Sequence, residues 1–152
     1  MDGLIATCGI FAATLIVGVL SGLVPIVNGE IYLIGVLMVT RDWPSALALA
    51  ALMSVGQMIA KAVLYQAALK ATNASRRGRF ANKIDKARAT AAKWKDKPLL
   101  VTAISSVTGL PPFYLVTLVA GMIQVRFRTF MALGLAGRLV RFTTIAAIVV
   151  AV

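Results

Sequence analysis

Two long uncharged stretches, residues 3–29 and 98–125, each contain a proline break that follows a Gly-Leu dipeptide. Pro25 interrupts the first stretch, and Pro111 with Pro112 interrupts the second, where a membrane-spanning helix would be at mid-length. A proline inside a helix removes a backbone hydrogen bond and collides with the preceding turn. In lipid no water replaces that bond, so broken helices persist only where protein or a cavity surrounds them. The paired breaks predict a transporter-like site near the bilayer midplane.

The composition predicts an all-α integral membrane protein. The chain of 152 residues is 60% hydrophobic and 14% charged, whereas soluble domains carry about a quarter charged residues. Apolar stretches at 3–29, 43–60 and 98–125 reach the roughly 18 to 20 residues that a membrane-spanning helix requires.

The net charge of +11 is concentrated in one segment, since ten of the sixteen basic residues lie between Lys70 and Lys97. Lys/Arg-rich loops of membrane proteins are ordinarily cytoplasmic, and no nucleic-acid-binding pattern accompanies this one, so we expect no nucleic-acid partner. Within residues 76–97 apolar side chains recur at helical spacing among the basic ones. This pattern predicts a basic amphipathic helix in the headgroup plane, with a solvated basic linker as the alternative.

Cys8 is the only cysteine, and the sequence contains no histidine. A disulfide within the chain, a histidine metal site and a histidine general base are therefore excluded. With no catalytic or metal-binding pattern, we expect a protein that is not an enzyme and that has no metal and no cofactor. No basic residue precedes Arg41, so we expect the first apolar stretch to be retained in the mature protein.

Segment lengths favour hairpins that enter and leave the membrane on the same side. As a helix, residues 99–110 reach about 18 Å, roughly half of a 30 Å hydrocarbon core. Residues 113–125 return a similar distance, and residues 26–40 are also short for a crossing. A model in which every segment spans is the alternative, but it leaves Arg126 and Arg128 outside, against the charge rule.

The chain is therefore predicted to form one membrane domain over residues 1–152. Its first half is residues 1–69, its basic cytoplasmic segment residues 70–98, and its second half residues 99–152. The halves are predicted to be inverted copies, each a proline-broken re-entrant hairpin followed by a transmembrane helix.

Ionisable residues within the apolar segments are the candidates for substrate or ion binding. Glu30 is the only carboxylate away from the charged loops and the termini, and it could exchange a proton at membrane depth or simply cap the following helix. Arg138 and Arg141 share one helical face, and their guanidinium groups suit phosphate or carboxylate. Lys61 is a third cation in an apolar helix. Snorkelling, or a structural ion pair with Glu30, is the alternative role for these cations.

The hairpin tips are assigned to Pro25 and Gly29 in the first half and to Pro111 and Pro112 in the second. Asn28, beside the first tip, is a weaker binding candidate. Gln57 and Tyr114 are weaker candidates of the same kind, because buried amides and hydroxyls more often join helices to one another.

These residues suggest a family. Residues 24–30, Val-Pro-Ile-Val-Asn-Gly-Glu, resemble the proline–Gly–Glu turn of the VTT-domain (DedA-like, SNARE-associated) membrane proteins. Pro112, the pair Ala120-Gly121 and Phe130 look like the second proline turn, the following Ala-Gly and the later Phe of that family. Residues 137–142 are similar to the Gly-Lys/Arg-x-x-Arg-aromatic end of the short YqaA-type members.

That resemblance implies two facing re-entrant hairpins and a role in moving lipids between leaflets. For bacterial relatives it implies undecaprenyl phosphate recycling or proton-dependent lipid transport. Carried over by position, Glu30 would be the turn carboxylate, and Arg138 with Arg141 the C-terminal basic pair.

The leading hypothesis is a small transporter or scramblase for an anionic, phosphate-bearing lipid in the bacterial cytoplasmic membrane. Arg138, Arg141 and Lys61 would hold the phosphate, while Glu30 couples to protons. A proton-coupled exporter of small solutes and a non-transporting membrane scaffold are the alternatives. Membrane lipids, protons and a second copy of the chain are the expected partners, since so small a helix bundle encloses little interior.

Overall fold

The computed structural model describes residues 2–74 and 97–152, together with positions 82, 85, 86, 89, 92 and 93. Most of the amphipathic helix predicted over 76–97 therefore lies outside the described residues. All regular secondary structure in the described part is helical, which confirms the all-α class. The helices are α1 (Asp2–Leu23), α2 (Gly29–Thr40), α3 (Trp43–Ala74), α4 (Pro98–Thr108), α5 (Phe113–Met122) and α6 (Phe127–Ala151).

Both predicted breaks occur. Pro25 lies in the connection between α1 and α2, and Pro111 with Pro112 lies between α4 and α5. The helices on either side of each break pack against one another. In the first pair, the Thr14 and Tyr32 hydroxyls are 3.3 Å apart. Each break is therefore the turn of a helical hairpin.

The first hairpin differs from the expectation in two respects. Its first arm, α1, has 22 residues, about 33 Å of helix, so the prediction that Pro25 interrupts a spanning helix at mid-length is wrong. Gly29 is the first residue of α2 and not part of the turn. A Cβ there would lie 2.8 Å from Ser21 Oγ and 3.1 Å from Gln57 Nε2, so this glycine permits close packing beneath the turn.

The remaining arms are short. α2 has 12 residues, α4 has 11 and α5 has 10, so each reaches only about 15–18 Å. By contrast, α3 with 32 residues and α6 with 25 are each long and apolar enough, by length and composition, to cross a membrane.

One compact unit comprises Met1–Ala60 and Arg138–Val152. It contains the first hairpin, the first part of α3 and the last part of α6. Side chains from α2, α3 and α6 form its core, in which Leu33, Met53 and Phe142 are fully buried. Where α1 crosses α3, Gly56 lies so close that an added Cβ would be 2.6 Å from the Leu15 carbonyl oxygen.

The other compact unit comprises Lys61–Gly137. It contains the rest of α3, the second hairpin and the first part of α6. Its interior holds stacked aromatic rings, with the Phe130 centroid 5.4 Å from that of Tyr65 and 5.9 Å from that of Phe113. The Tyr65 hydroxyl donates a hydrogen bond to the Val125 carbonyl oxygen. Each unit thus draws residues from both of the contiguous halves proposed from the sequence.

The distribution of polarity differs from that in a soluble protein. Large apolar side chains are exposed on every helix, including Ile31, which is 68% exposed, and Leu100, which is 50% exposed. The buried side chains include many polar and charged ones: Thr14, Ser54, Gln57, Lys61, Thr72, Thr102, Ser105, Ser106, Thr117 and Arg138. Soluble proteins rarely bury lysine or arginine or expose so much continuous apolar surface. The pattern favours apolar surroundings.

Candidate functional site

Glu30 and Arg141 form an ion pair in the first unit. Asn28 positions the carboxylate, because its Oδ1 accepts hydrogen bonds from the Glu30 and Ile31 amides at 3.0 and 3.4 Å and so caps α2. Glu30 is thereby fixed in the first turn of α2, where the helix dipole favours a negative charge. The side chains of Arg141 and Glu30 are 22% and 33% exposed, so the pair is half-buried and open on one side.

Arg138 belongs to the same cluster. It precedes Arg141 by three positions on α6, is only 9% exposed, and interacts electrostatically with both Arg141 and Glu30. Two guanidinium groups and one carboxylate give these three side chains a net charge of +1. A low-dielectric site with excess positive charge attracts an anion.

The cluster lies near the middle of α6. The 25 residues of α6 extend about 37 Å. Arg138 and Arg141 are the twelfth and fifteenth of these 25 residues. In a helix that crosses a membrane, charged side chains near the middle are costly and are usually retained for function.

Gln57 supports the first hairpin from α3. Its Nε2 donates a hydrogen bond to Ser21 Oγ at 3.0 Å, which joins α3 to the end of α1. The side chain is 6% exposed, and its Oε1 accepts no hydrogen bond from a described residue. The expectation that this amide joins helices matches its geometry.

Lys61 lies in the second unit and is 4% exposed. Its Nζ is 5.3 Å from the centroid of the Tyr114 ring, within the range of a cation–π interaction. Tyr114 is the second residue of α5, as Glu30 is of α2. In each unit, the second residue of the helix that follows the break therefore lies beside a cation of a long helix.

Two buried hydroxyl side chains of the second hairpin are not among the predicted site residues. Ser105 is fully buried and donates a hydrogen bond of 2.5 Å to the Pro111 carbonyl oxygen, which ties α4 to the turn. Ser106 bonds to the Ala103 carbonyl oxygen at 2.8 Å and approaches that of Leu133 at 3.4 Å. The Ser-Ser sequence before the prolines is a weak signal, because helical hydroxyls commonly bond only to their own helix.

Among the described residues, no three cysteine, aspartate or glutamate side chains are grouped as a metal site. Comparison with known proteins finds no matching family model, no matching curated protein and no matching solved structure. The resemblance to the VTT family stays a prediction that rests on the motifs.

Proposed function

We propose that this protein is a membrane transporter or scramblase that moves an anionic, phosphate-bearing lipid between the leaflets of the bacterial cytoplasmic membrane. The observation that carries the proposal is the Glu30–Arg141 ion pair with Arg138 beside it, near the middle of α6. The proposal includes membership of the VTT family and assembly as a dimer.

The lengths of three of the four hairpin arms support a re-entrant arrangement. At about 15–18 Å, α2, α4 and α5 reach only about half of a 30 Å hydrocarbon core. The turns before α2 and between α4 and α5 would then lie within the membrane. Irregular backbone is tolerated there only beside protein or a water-filled cavity. Because such a cavity could admit a substrate, each turn is a candidate part of the substrate path.

The division of the helices between the two units supports the proposal that the two halves are inverted copies. Each unit contains one hairpin, the first part of the long helix that follows that hairpin, and the last part of the other long helix. Inverted repeats of this kind are common in transporters, with the substrate site near the broken helices.

The charge of the cluster favours a phosphate. A phosphodiester carries one negative charge and would neutralise the net +1 of Glu30, Arg138 and Arg141. Guanidinium groups hold phosphate oxygens with paired, charge-assisted hydrogen bonds. The partial exposure of Glu30 and Arg141 gives such a headgroup access.

Proton coupling follows from competition for Arg141. The ionised Glu30 carboxylate and a bound phosphate would compete for hydrogen bonds from the same guanidinium group. Protonation of Glu30 raises the net charge of the cluster from +1 to +2 and strengthens anion binding. By thermodynamic linkage, anion binding strengthens proton uptake equally. A phosphate headgroup and a proton would therefore bind and leave together.

Leaflet exchange in reconstituted vesicles tests the proposal. Fluorescent phosphatidylglycerol and phosphatidylcholine are compared in vesicles that contain the wild type, Arg138→Gln or Arg141→Gln. Each loss of a charge-assisted hydrogen bond should slow phosphatidylglycerol exchange by about tenfold or more. Lys70→Gln, which removes an exposed cation of α3, is the matched control and should leave exchange unchanged.

The Glu30→Gln variant separates proton coupling from binding of the anionic lipid. Because the variant cannot ionise, exchange should no longer depend on pH. Wild-type pH dependence in this variant would exclude Glu30 from coupling. Wild-type exchange in both arginine variants would overturn the proposed anion site. Proton-driven solute uptake without lipid movement would favour the exporter hypothesis instead.

A further inference from the structure

An open cleft of about 570 Å³ lies at the start of α6, lined by Arg126, Phe127, Arg128 and Thr129. Both arginines are exposed. Within the described part of the chain, the ion pair present is that of Glu30 with Arg141, so the two positive charges of the cleft are not balanced by a described carboxylate.

The cleft combines charge with an apolar wall. Phe127 is 37% exposed between the two arginines, and its ring centroid lies 5.3 Å from that of Tyr65. The ring is thereby held against α3 and presents a fixed apolar surface. Thr129 adds a hydroxyl. Two guanidinium groups and a hydroxyl suit a phosphate, whereas the aromatic wall suits the hydrocarbon that is attached to it.

We propose that this cleft binds the phosphate headgroup of an anionic phospholipid in the adjacent leaflet. The inference rests on the proposed crossing of the membrane by α6, because that crossing places the first residues of the helix at headgroup level. Anionic lipid there attracts clustered cations. A free phosphate ion would use the two charges but leave the apolar wall exposed.

The cleft is separate from the proposed transport cluster. The cleft residues belong to the unit Lys61–Gly137, whereas Arg138 and Arg141 belong to the other unit. A lipid bound in the cleft would therefore anchor the protein at the membrane surface or supply lipid for transport. Its binding can be measured separately from transport.

Native mass spectrometry of the full-length protein in an uncharged detergent tests this inference. The protein is titrated with dioctanoyl phosphatidylglycerol, dioctanoyl phosphatidylcholine or inorganic phosphate, and the affinity ratio of the two lipids is measured. Arg126→Gln/Arg128→Gln should lower that ratio by about twenty-five-fold, since each cation contributes a factor of about five. Arg126→Lys/Arg128→Lys, which keeps both charges, should retain most of the preference and shows that the fold is intact.

Three comparisons decide the outcome. Arg41→Gln/Lys70→Gln removes two other exposed cations and should leave the preference unchanged; an equal loss there would overturn the inference. Loss of preference only in Arg138→Gln/Arg141→Gln would place the lipid at the transport cluster, which overturns the cleft but not the proposed function. Displacement of the lipid by millimolar inorganic phosphate would identify a simple anion site and would also overturn the inference.

Discussion

The Glu30 carboxylate is held by two separate features of its surroundings. Asn28 caps α2 and fixes the backbone of its first turn, while Arg141 pairs with the side chain from α6. The cap is local and the pair is long-range, so each can be removed without removing the other. The pair sets the charge of the cluster, and the cap sets where the carboxylate lies.

We expect measurable coupling between Glu30 and Arg141 in a double-mutant cycle with Glu30→Gln and Arg141→Gln. Exposed pairs contribute about 0.2–1 kcal/mol, and breaking a buried pair costs about 3–5 kcal/mol. Since this pair is half-buried, the coupling should be about 1–2 kcal/mol in the free energy of unfolding, measured in detergent. Lys70→Gln in place of Arg141→Gln is the control. If the effects of the two substitutions on the free energy of unfolding add within about 0.5 kcal/mol, the pair contributes nothing to stability.

Helix crossings in the first unit depend on glycine. Gly18 and Gly56 face each other where α1 crosses α3, and a Cβ at Gly56 would lie 3.0 Å from the Cα of Gly18. Small residues at such crossings let backbones approach, which is a main source of helix association in membranes.

Gly56→Ala should therefore destabilise the protein by about 1–3 kcal/mol, because backbone atoms of α1 must move to admit the methyl group. Gly35→Ala is the matched control, since no atom lies within 4 Å of a Cβ at that exposed position of α2. There the higher helix propensity of alanine should stabilise by up to about 1 kcal/mol. The free energy of unfolding in detergent measures both changes. Equal effects at the two positions would argue against close packing of α1 and α3.

We expect the start of α3 to be sensitive to acid. Asp42 Oδ2 accepts a hydrogen bond of 2.9 Å from the Ser45 amide. Side-chain and then backbone hydrogen bonding to Ser45 lowers the pKa of Asp42 below its usual 3.8. Since the native pKa is the lower one, the cap stabilises the helix above the unfolded value and is lost as pH falls through the native value.

Hydrogen exchange should detect this loss at the Ser45 and Ala46 amides. After correction for intrinsic rates, protection should be greater in the wild type than in Asp42→Ala at pH 6. The difference should vanish below the native pKa of Asp42. A difference that persists unchanged to pH 2 would mean that the carboxylate does not cap α3.

At the scale of the whole molecule, the two units are built from corresponding parts. Each hairpin is accompanied by portions of both α3 and α6, so neither half proposed from the sequence is a self-contained folding unit. Each turn carries a highly exposed apolar residue: Ile26 is 91% exposed and Leu110 is 71% exposed. Turns in contact with water seldom carry such residues.

A re-entrant arrangement predicts that both turns are shielded from aqueous reagents on either side. In a Cys8→Ala background, Ile26→Cys and Leu110→Cys should react with a membrane-impermeant maleimide at least about tenfold more slowly than Asp42→Cys. The reason is that α2 and α4 reach only about half-way through the hydrocarbon core. Labelling rates in sealed and permeabilised vesicles measure this. Fast labelling from one side only would instead support fully spanning segments.

The sequence alone determined the helical class, the two breaks and the ionisable residues worth testing. Hydrophobicity, proline geometry and charge are properties of local segments, and the structure places both turns at the predicted prolines. The assignment of Gly29 to the turn is wrong. Its role is close contact with Ser21 of α1 and Gln57 of α3, which no local pattern reveals.

Only the tertiary structure decided which cation meets which partner. From the sequence, Lys61, Arg138 and Arg141 were all candidate cations opposite Glu30, and no pattern selected one of them as its partner. The fold pairs Glu30 with Arg141 and places Lys61 over Tyr114. Residues 30 and 141 are brought together by the packing of α2 and α6 in one core. Such pairing depends on how helices distant in sequence pack together, and the local sequence carries no record of it.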